Sequence, residues 1–276
     1  MSMALRIIDI AFFGGGGALM LAMVFSRHLA VRVDAQPESP AQPGRKDSAV
    51  AADTTWFEVD PVDAAEMTDA ELAFAADLRA HSSGWTPTDV DGYVAGFATG
   101  GLAEPLIACA DLTDPARPRH LLIHVGVHLS RDRVRGDRLH SQLFSLPEHP
   151  SSWALDSVGT RDELVELSAD WFRGVLDKPI VLYVWLNDDY AYAARYAFAD
   201  TGETLIQCYE RQIAPAGQAE DLIAAGHVHG RGWIQTIGLP NPTCYFHIRG
   251  DLASGAVPAG VPTATKRGPL SGLWYE

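Results

Sequence analysis

The residue pattern predicts an α+β fold: helices packed on a largely antiparallel sheet, in one domain, behind an apolar N-terminal segment and a linker. Three observations predict it. A capped amphipathic helix opens at Thr160 and leads directly into three strand-like runs ending at Ile213. Further strand-length apolar runs lie at 106–112 and 119–129. The apolar fraction of 47% in 276 residues is enough for a sizeable core.

Thr160 and Glu163 form a capping box, the hydroxyl accepting from the amide three residues on and the carboxylate reaching back. Leu164, Leu167, Trp171, Val175 and Leu176, with Phe172 beside them, make an apolar stripe, and Asp162, Glu166, Asp170 and Arg173 lie off it. Pro179 stops the helix. Ile180 to Leu186 is continuously apolar and fits a strand buried on both faces, ending at the turn Asn187-Asp188-Asp189. Tyr190, Tyr192, Tyr196 and Phe198 alternate with Ala191, Ala193, Arg195, Ala197 and Ala199, which reads as a strand with an aromatic face and a small face; its alanine content leaves a helix as the rival. Asp200-Thr201-Gly202 supplies a turn, and Leu205 to Ile213 the third strand.

The first part of the chain reads differently. Residues 1–33 are an apolar N-terminal segment whose stretch 7–25 approaches the length of a bilayer span. Asp9 and Gly14 to Gly17 weaken a membrane anchor, and Val33-Asp34-Ala35 resembles a signal-peptidase site placed rather far downstream. Anchor, signal peptide and a true start further on all stay open. As an anchor it favours a membrane-tethered protein with a cytoplasmic C-terminal domain, and the other readings give a soluble cytoplasmic or a secreted one. Residues 34–55 are a Pro-rich linker without periodicity.

The α+β domain is expected over 56–252. Thr68 and Glu71 form a second capping box with Met67 and Leu72 as a hydrophobic staple, giving a helix to about His81. Thr86 with Pro87 opens another expected helix, carrying Val90, Tyr93, Val94 and Phe97 on one face. On the strand from Arg119, Leu121, Ile123, Val125, Val127 and Leu129 point one way and His120, His124 and His128 the other. Arg133 to Leu146 adds a strand with Gly136-Asp137 as a bulge or turn. Ala216 to Ala225 is a short helix ended by Gly226, and Gly232 to Ile237 and Cys244 to Leu252 are further strands. Residues 253–276 read as an extended Gly/Pro-rich surface tail.

Composition excludes some partners. A formal charge of −14 disfavours nucleic-acid backbones and anionic membrane surfaces. The arginines at 131, 133, 135 and 138 alternate with Asp132 and Asp137, as in a solvated hairpin. Three lysines against eighteen arginines suit a GC-rich bacterial genome. Cys109, Cys208 and Cys244 lack the spacing of a disulfide framework or zinc site and read as free thiols. No cofactor motif occurs, and none is expected to bind.

The candidates for chemistry are few. His124, His128, His227 and His229 are potential metal ligands, the last two in G-H-V-H-G. Three histidines along one strand, however, span roughly 13 Å at 3.3 Å per residue, too far for one ion. Phe198-Ala199-Asp200-Thr201-Gly202 resembles the Asp-Thr-Gly signature of aspartic proteases, which implies a catalytic carboxylate at Asp200. Thr236-Ile237-Gly238 is similar to that family's later apolar-Gly element. The sequence departs at Glu203, where the family has a small residue, and has no second Asp-Thr-Gly. Arg249-Gly250-Asp251 matches an integrin-binding tripeptide but closes a strand.

The segments A-D-W-F-R-G-V-L-D-K-P-I at 169–180 and Y-A-F-A-D-T-G-E at 196–203 resemble a pattern in uncharacterised actinobacterial proteins, which implies no activity or site. The expectation is a non-enzymatic interaction domain for a protein partner, membrane-tethered if 7–25 is an anchor. The alternative is a hydrolase using a histidine-bound metal or the Asp200 carboxylate.

Overall fold

Two antiparallel sheets share one core with the helices, where the sequence suggested a single sheet. The computed structural model describes residues 56–65, 67–85, 90–93, 106–140, 144–230, 232–253 and 255–273. The segment 7–25 and the linker lie outside them, as does most of the helix expected from Thr86. No helix among the described residues is long and apolar enough to cross a membrane.

A short α1 (Pro61–Ala64) precedes α2 (Asp69–Ser82), whose capping box is present in full. The first sheet is a meander of β1 (Val90–Tyr93), β2 (Leu106–Asp114), β3 (Arg117–Ser130), β4 (Arg133–Arg138) and β5 (Leu155–Val158). Then α3 (Arg161–Leu176) leads into β6 (Ile180–Asn187), β7 (Tyr190–Phe198) and β8 (Thr204–Tyr209). After α4 (Gln218–Ala224) come the two-residue strands β9 (Val228–His229) and β10 (Trp233–Ile234), a 3-10 turn at Thr236–Gly238, β11 (Cys244–Arg249) and β12 (Gly272–Leu273). The second sheet runs β11-β6-β7, with β8 and β12 both pairing with β7.

The turn at Asp188 and the turn at Gly202 fall where the sequence puts them, with Asp188 at φ 52° and Gly202 at φ 71°. Residues 190–198 form a strand, which settles the rivalry with a helix. Val90–Tyr93 is a strand too, against the expected helix. Its residues pair one to one with Leu112 back to Cys109, so a sheet edge overrides a local helix start. The sequence reading also passed over β5, which pairs with β4.

The buried stripe of α3 is Leu164, Val165, Ser168, Ala169, Phe172, Val175 and Leu176, while Leu167 is 41% exposed. A hydrophobicity pattern misses this by a fraction of a turn because Ser168 and Ala169 are small rather than apolar. Ser168 satisfies its hydroxyl on Leu164 O at 2.7 Å. Gly136 continues the β4 ladder without a bulge, contrary to expectation. Its lack of a side chain matters for packing: a Cβ there would stand 3.2 Å from Trp171 Cη2.

Two bulges correct the period-two reading. On β3, Ile123 pairs with Leu112 and Leu121 with Thr113, so Leu122 is one residue too many. Leu122 and Ile123 therefore both enter the shared core, and His120 is carried to the opposite side from His124. The His120 ring lies 5.4 Å from that of Tyr196, a core residue. On β7, Tyr192 is extra between Ala191 and Ala193. Tyr196 and Phe198 face the shared core, while Tyr192 joins a second cluster with Val181, Tyr183 and Trp185 on the outer face.

Residues 255–273 form a strap. Tyr245 N donates to Pro262 O at 3.0 Å and Ala264 N to Tyr245 O at 2.8 Å. Arg267 then enters the core, its Nη1 donating to Asp114 Oδ1 at 2.7 Å and its Nη2 to Tyr196 Oη at 2.8 Å and to Asp114 Oδ2. Tyr196 donates its hydroxyl to Asp114, and Arg117 donates to Gly268 O. Burial alone would raise the Asp114 carboxyl, but the Arg267 and Tyr196 bonds outweigh it and hold it below the ordinary carboxylate range.

Candidate functional site

His124 and His128 share a face of β3 and are both buried. The Nδ1 of His124 meets the Asp111 carboxylate across the β2–β3 ladder, and His128 Nε2 lies 2.9 Å from Phe144 O. Asp137, on the same face, accepts from Ser151 N at 2.8 Å, Ser151 Oγ at 2.6 Å and Arg138 N at 2.7 Å. These polar groups fasten residues 139–140 and 144–151 over the outer side of the first sheet. They are buried, and they bond to the chain's own groups, as buried polar atoms must.

His227 and His229 belong to another region. His227 N donates to Leu222 O at 2.9 Å, and its ring packs so closely on Gly238 that a Cβ there would lie 2.2 Å from Cδ2. His229 is exposed in the β9–β10 hairpin. Among the described residues no three His, Cys, Asp or Glu side chains are grouped as metal ligands.

Asp200 sits 40% exposed in the β7–β8 turn, ion-paired with Lys178. The turn is ordinary backbone chemistry: Gly202 N donates to Phe198 O at 2.8 Å, and Phe198 N to Glu203 O at 3.0 Å. Glu203, where the sequence departs from the protease signature, accepts from Arg138 Nη2 at 2.7 Å and Trp153 Nε1 at 2.8 Å, tying the turn to the first sheet. Arg249-Gly250-Asp251 is likewise held by its backbone. Gly250 has φ 72° and would bring a Cβ within 2.7 Å of Pro179 Cα.

A feature of another kind, an edge strand beside a groove, lies on the second sheet. Strand β8 pairs with β7 along one edge, and among the described residues no strand pairs with its other edge. Beside it is a groove of about 240 Å³ lined by Gln207, Cys208, Tyr209, Arg211, Trp233 and Ile234. The hairpin turn through Gly230 and Gly232, at φ 55° and 101°, projects Trp233, which is 55% exposed. The walls are braced. Gln207 Oε1 accepts from Thr236 N at 2.9 Å and Thr236 Oγ1 at 2.6 Å, and Arg211 pairs with Glu220. Tyr209 Oη and Tyr192 Oη each bond Gln218 at 3.2 Å.

One strand inward, Arg195 stands opposite Gln207 in the ladder. Its guanidinium lies 5.2 Å from the Tyr183 ring and 5.5 Å from that of Trp185. Burial lowers its pKa. Sequence reasoning counted Arg195 among the small residues of the strand, although a charge inside Tyr-Ala-Tyr-Ala-Ala-Arg-Tyr-Ala-Phe was the visible signal. Trp233, between Gly232 and Ile234, gave no sign of its exposure. Comparison of the chain with protein-family models, with curated proteins and with solved structures returns no match.

Proposed function

We propose that this domain is a non-enzymatic interaction module that takes an extended segment of a partner protein along the outer edge of β8. One observation carries the reading: an edge strand with a row of backbone groups lies beside a groove flanked by a half-exposed tryptophan. An added strand would satisfy those N–H and C=O groups, and the groove would receive an alternate side chain. Tryptophan is a common anchor at such surfaces because it offers large area at small entropic cost. With residues 7–25 as an anchor, the module would be tethered at a membrane.

Hydrolysis, the alternative, has less to support it. Asp200 is paired with Lys178 in a surface turn, and His124 and His128 are committed to the first sheet.

Selection of random twelve-residue peptides displayed on phage against the full chain tests the reading. The selected peptides should slow amide exchange over 204–209, and Trp233→Ala should weaken them at least tenfold while leaving thermal melting unchanged. Ile206→Pro, which alters the strand backbone, should abolish them. Selected peptides that leave 204–209 unprotected, or a selection yielding none, would falsify the docking edge.

A further inference from the structure

We propose that Arg195, with the side-chain amide of Gln207, forms a carboxylate-binding subsite on the outer face of the second sheet. It would take an acidic side chain or the C-terminal carboxylate of the docked segment. The inference rests on the docking reading above and adds the chemistry that the segment must carry.

An arginine within a strand is most often part of a structural ion pair. Arg195 is not in one. Among the described residues no carboxylate and no hydrogen-bond acceptor meets it, and its Nε is enclosed without a partner. The chain has 35 acidic residues against 21 basic ones, and none of the described ones is placed against it. Tyr183 and Trp185 hold the guanidinium, their ring centroids 6.4 Å apart and inclined at 57°. Aromatic rings orient the cation and keep water from its faces, but they do not accept its in-plane N–H bonds.

Gln207 supplies the second donor. It is the cross-strand partner of Arg195, so the two side chains leave the same face with Cβ atoms roughly 5 Å apart. Both bonds from Thr236 go to Gln207 Oε1. The NH₂ group is therefore fixed by the oxygen and has no acceptor among the described residues. A planar guanidinium and a planar amide side by side suit a carboxylate, which accepts in plane. A single charge also fits better than a phosphate dianion, since the site offers one cation in a protein of net charge −14. A segment added to β8 would run about 10 Å from β7, two strand spacings away, which an acidic side chain and an arginine can bridge together.

The test uses the full-length protein labelled with ¹⁵N, observing the Arg195 Nε–H and Gln207 side-chain NH₂ signals while sodium acetate is titrated against sodium chloride at equal ionic strength. The expected result is a saturable shift of both signals with acetate and none with chloride. Arg195→Lys should remove the Gln207 response, and Gln207→Glu, which supplies a carboxylate of its own, should remove the Arg195 response. Unsaturated shifts, equal shifts with chloride, or an acetate response that survives in Gln207→Glu would overturn the subsite.

A second arm separates the two sources of the carboxylate. Peptides that protect 204–209 are remade with Asp and Glu replaced by Asn and Gln, or with an amidated C-terminus. One of these changes should cost at least tenfold in affinity for the wild type and less than twofold for Arg195→Lys. Peptides that dock with no dependence on either carboxylate overturn the subsite and leave the docking edge standing. An acetate response without any docking peptide does the reverse.

Discussion

Asp114 is fully committed: it has no exposure, and its two oxygens take bonds from Arg267, from Tyr196 and from the amide of Ala116 at 3.0 Å. Asp114→Asn leaves the Arg267 guanidinium buried without its counter-charge and should cost roughly 3–5 kcal/mol in urea unfolding at neutral pH. Because the folded carboxyl titrates below its unfolded value, this contribution is complete above the ordinary carboxylate range and is lost as pH falls through the folded pKa. The difference between wild type and variant should therefore shrink on acidification. A constant difference down to the acid transition would refute this assignment.

Tyr196 gives the opposite limb. Burial, reinforced by its bond to Asp114, pushes its hydroxyl up to about 12 from 10.0. A raised phenol favours the fold while protonated, so the stability is whole below pH 10 and declines as pH rises from there towards 12. The span corresponds to roughly 3 kcal/mol. Tyr196→Phe should be less stable at neutral pH yet show a flatter decline in alkali, followed by circular dichroism. An unchanged alkaline slope would count against it. His120, lowered by burial against the pull of Asp114, completes a cluster that prefers its neutral forms wherever charge is not matched.

At the scale of elements, what was legible and what was not divides along physical lines. Both capping boxes were readable because a cap is a local bond between residues three apart. Thr160 accepts from Glu163 N while Glu163 reaches back to Thr160 N at 2.8 Å, as the spacing implied. Thr160→Ala should cost about 1 kcal/mol of stability, measured by thermal unfolding. A loss below a tenth of that would mean that packing alone places α3.

Pairing is not local, and there the reading failed. Nothing around Leu122 or Tyr192 marks an extra residue, because a bulge is defined by the partner strand. The histidines of β3 therefore looked like one row, and the aromatics of β7 like one face. Deletion of Leu122 would leave Leu121 opposite Thr113 and Ile123 opposite Leu112 with nothing between them, so the ladder should close and the chain still fold, at a cost of about 2–5 kcal/mol, as for a core truncation. Deletion of Val125, in a regular stretch, would reverse every side chain on one half of β3 and should prevent folding. If the two variants melt alike, Leu122 is not the extra residue. Of the candidate site, Arg195 was counted with the small face of its strand, although a lone charge there was a readable anomaly. The groove was not, since it joins residues 207–211 to 232–234 across an intervening helix.

Across the whole domain, the strap closes what the sheets leave open. Its segment from Pro262 to Leu273 touches β11, β2, β3, β8 and β7 in turn, through Tyr245, Asp114, Arg117, Cys208 and Ala191. The second sheet and the β2–β3 hairpin are thereby fastened by one piece of chain, though that piece has little secondary structure of its own. Segments of this kind open locally at lower free energy than the core around them.

Cys208 makes that opening countable. Its thiol donates to Leu270 O at 3.5 Å, and burial raises its pKa, so alkylating reagents meet a protonated sulfur behind a peptide carbonyl. Cys109 and Cys244 are buried more fully and serve as internal controls. Modification of Cys208 by iodoacetamide should proceed at a rate fixed by how often the strap lifts. Arg267→Leu, which unbuckles it, should quicken that rate several-fold while the two controls keep their slow pace. The sulfur is in effect a clock wired to a latch, and its own residue lines the groove together with Gln207 and Tyr209. A segment docked on β8 should therefore be heard at the latch as a change in its beat.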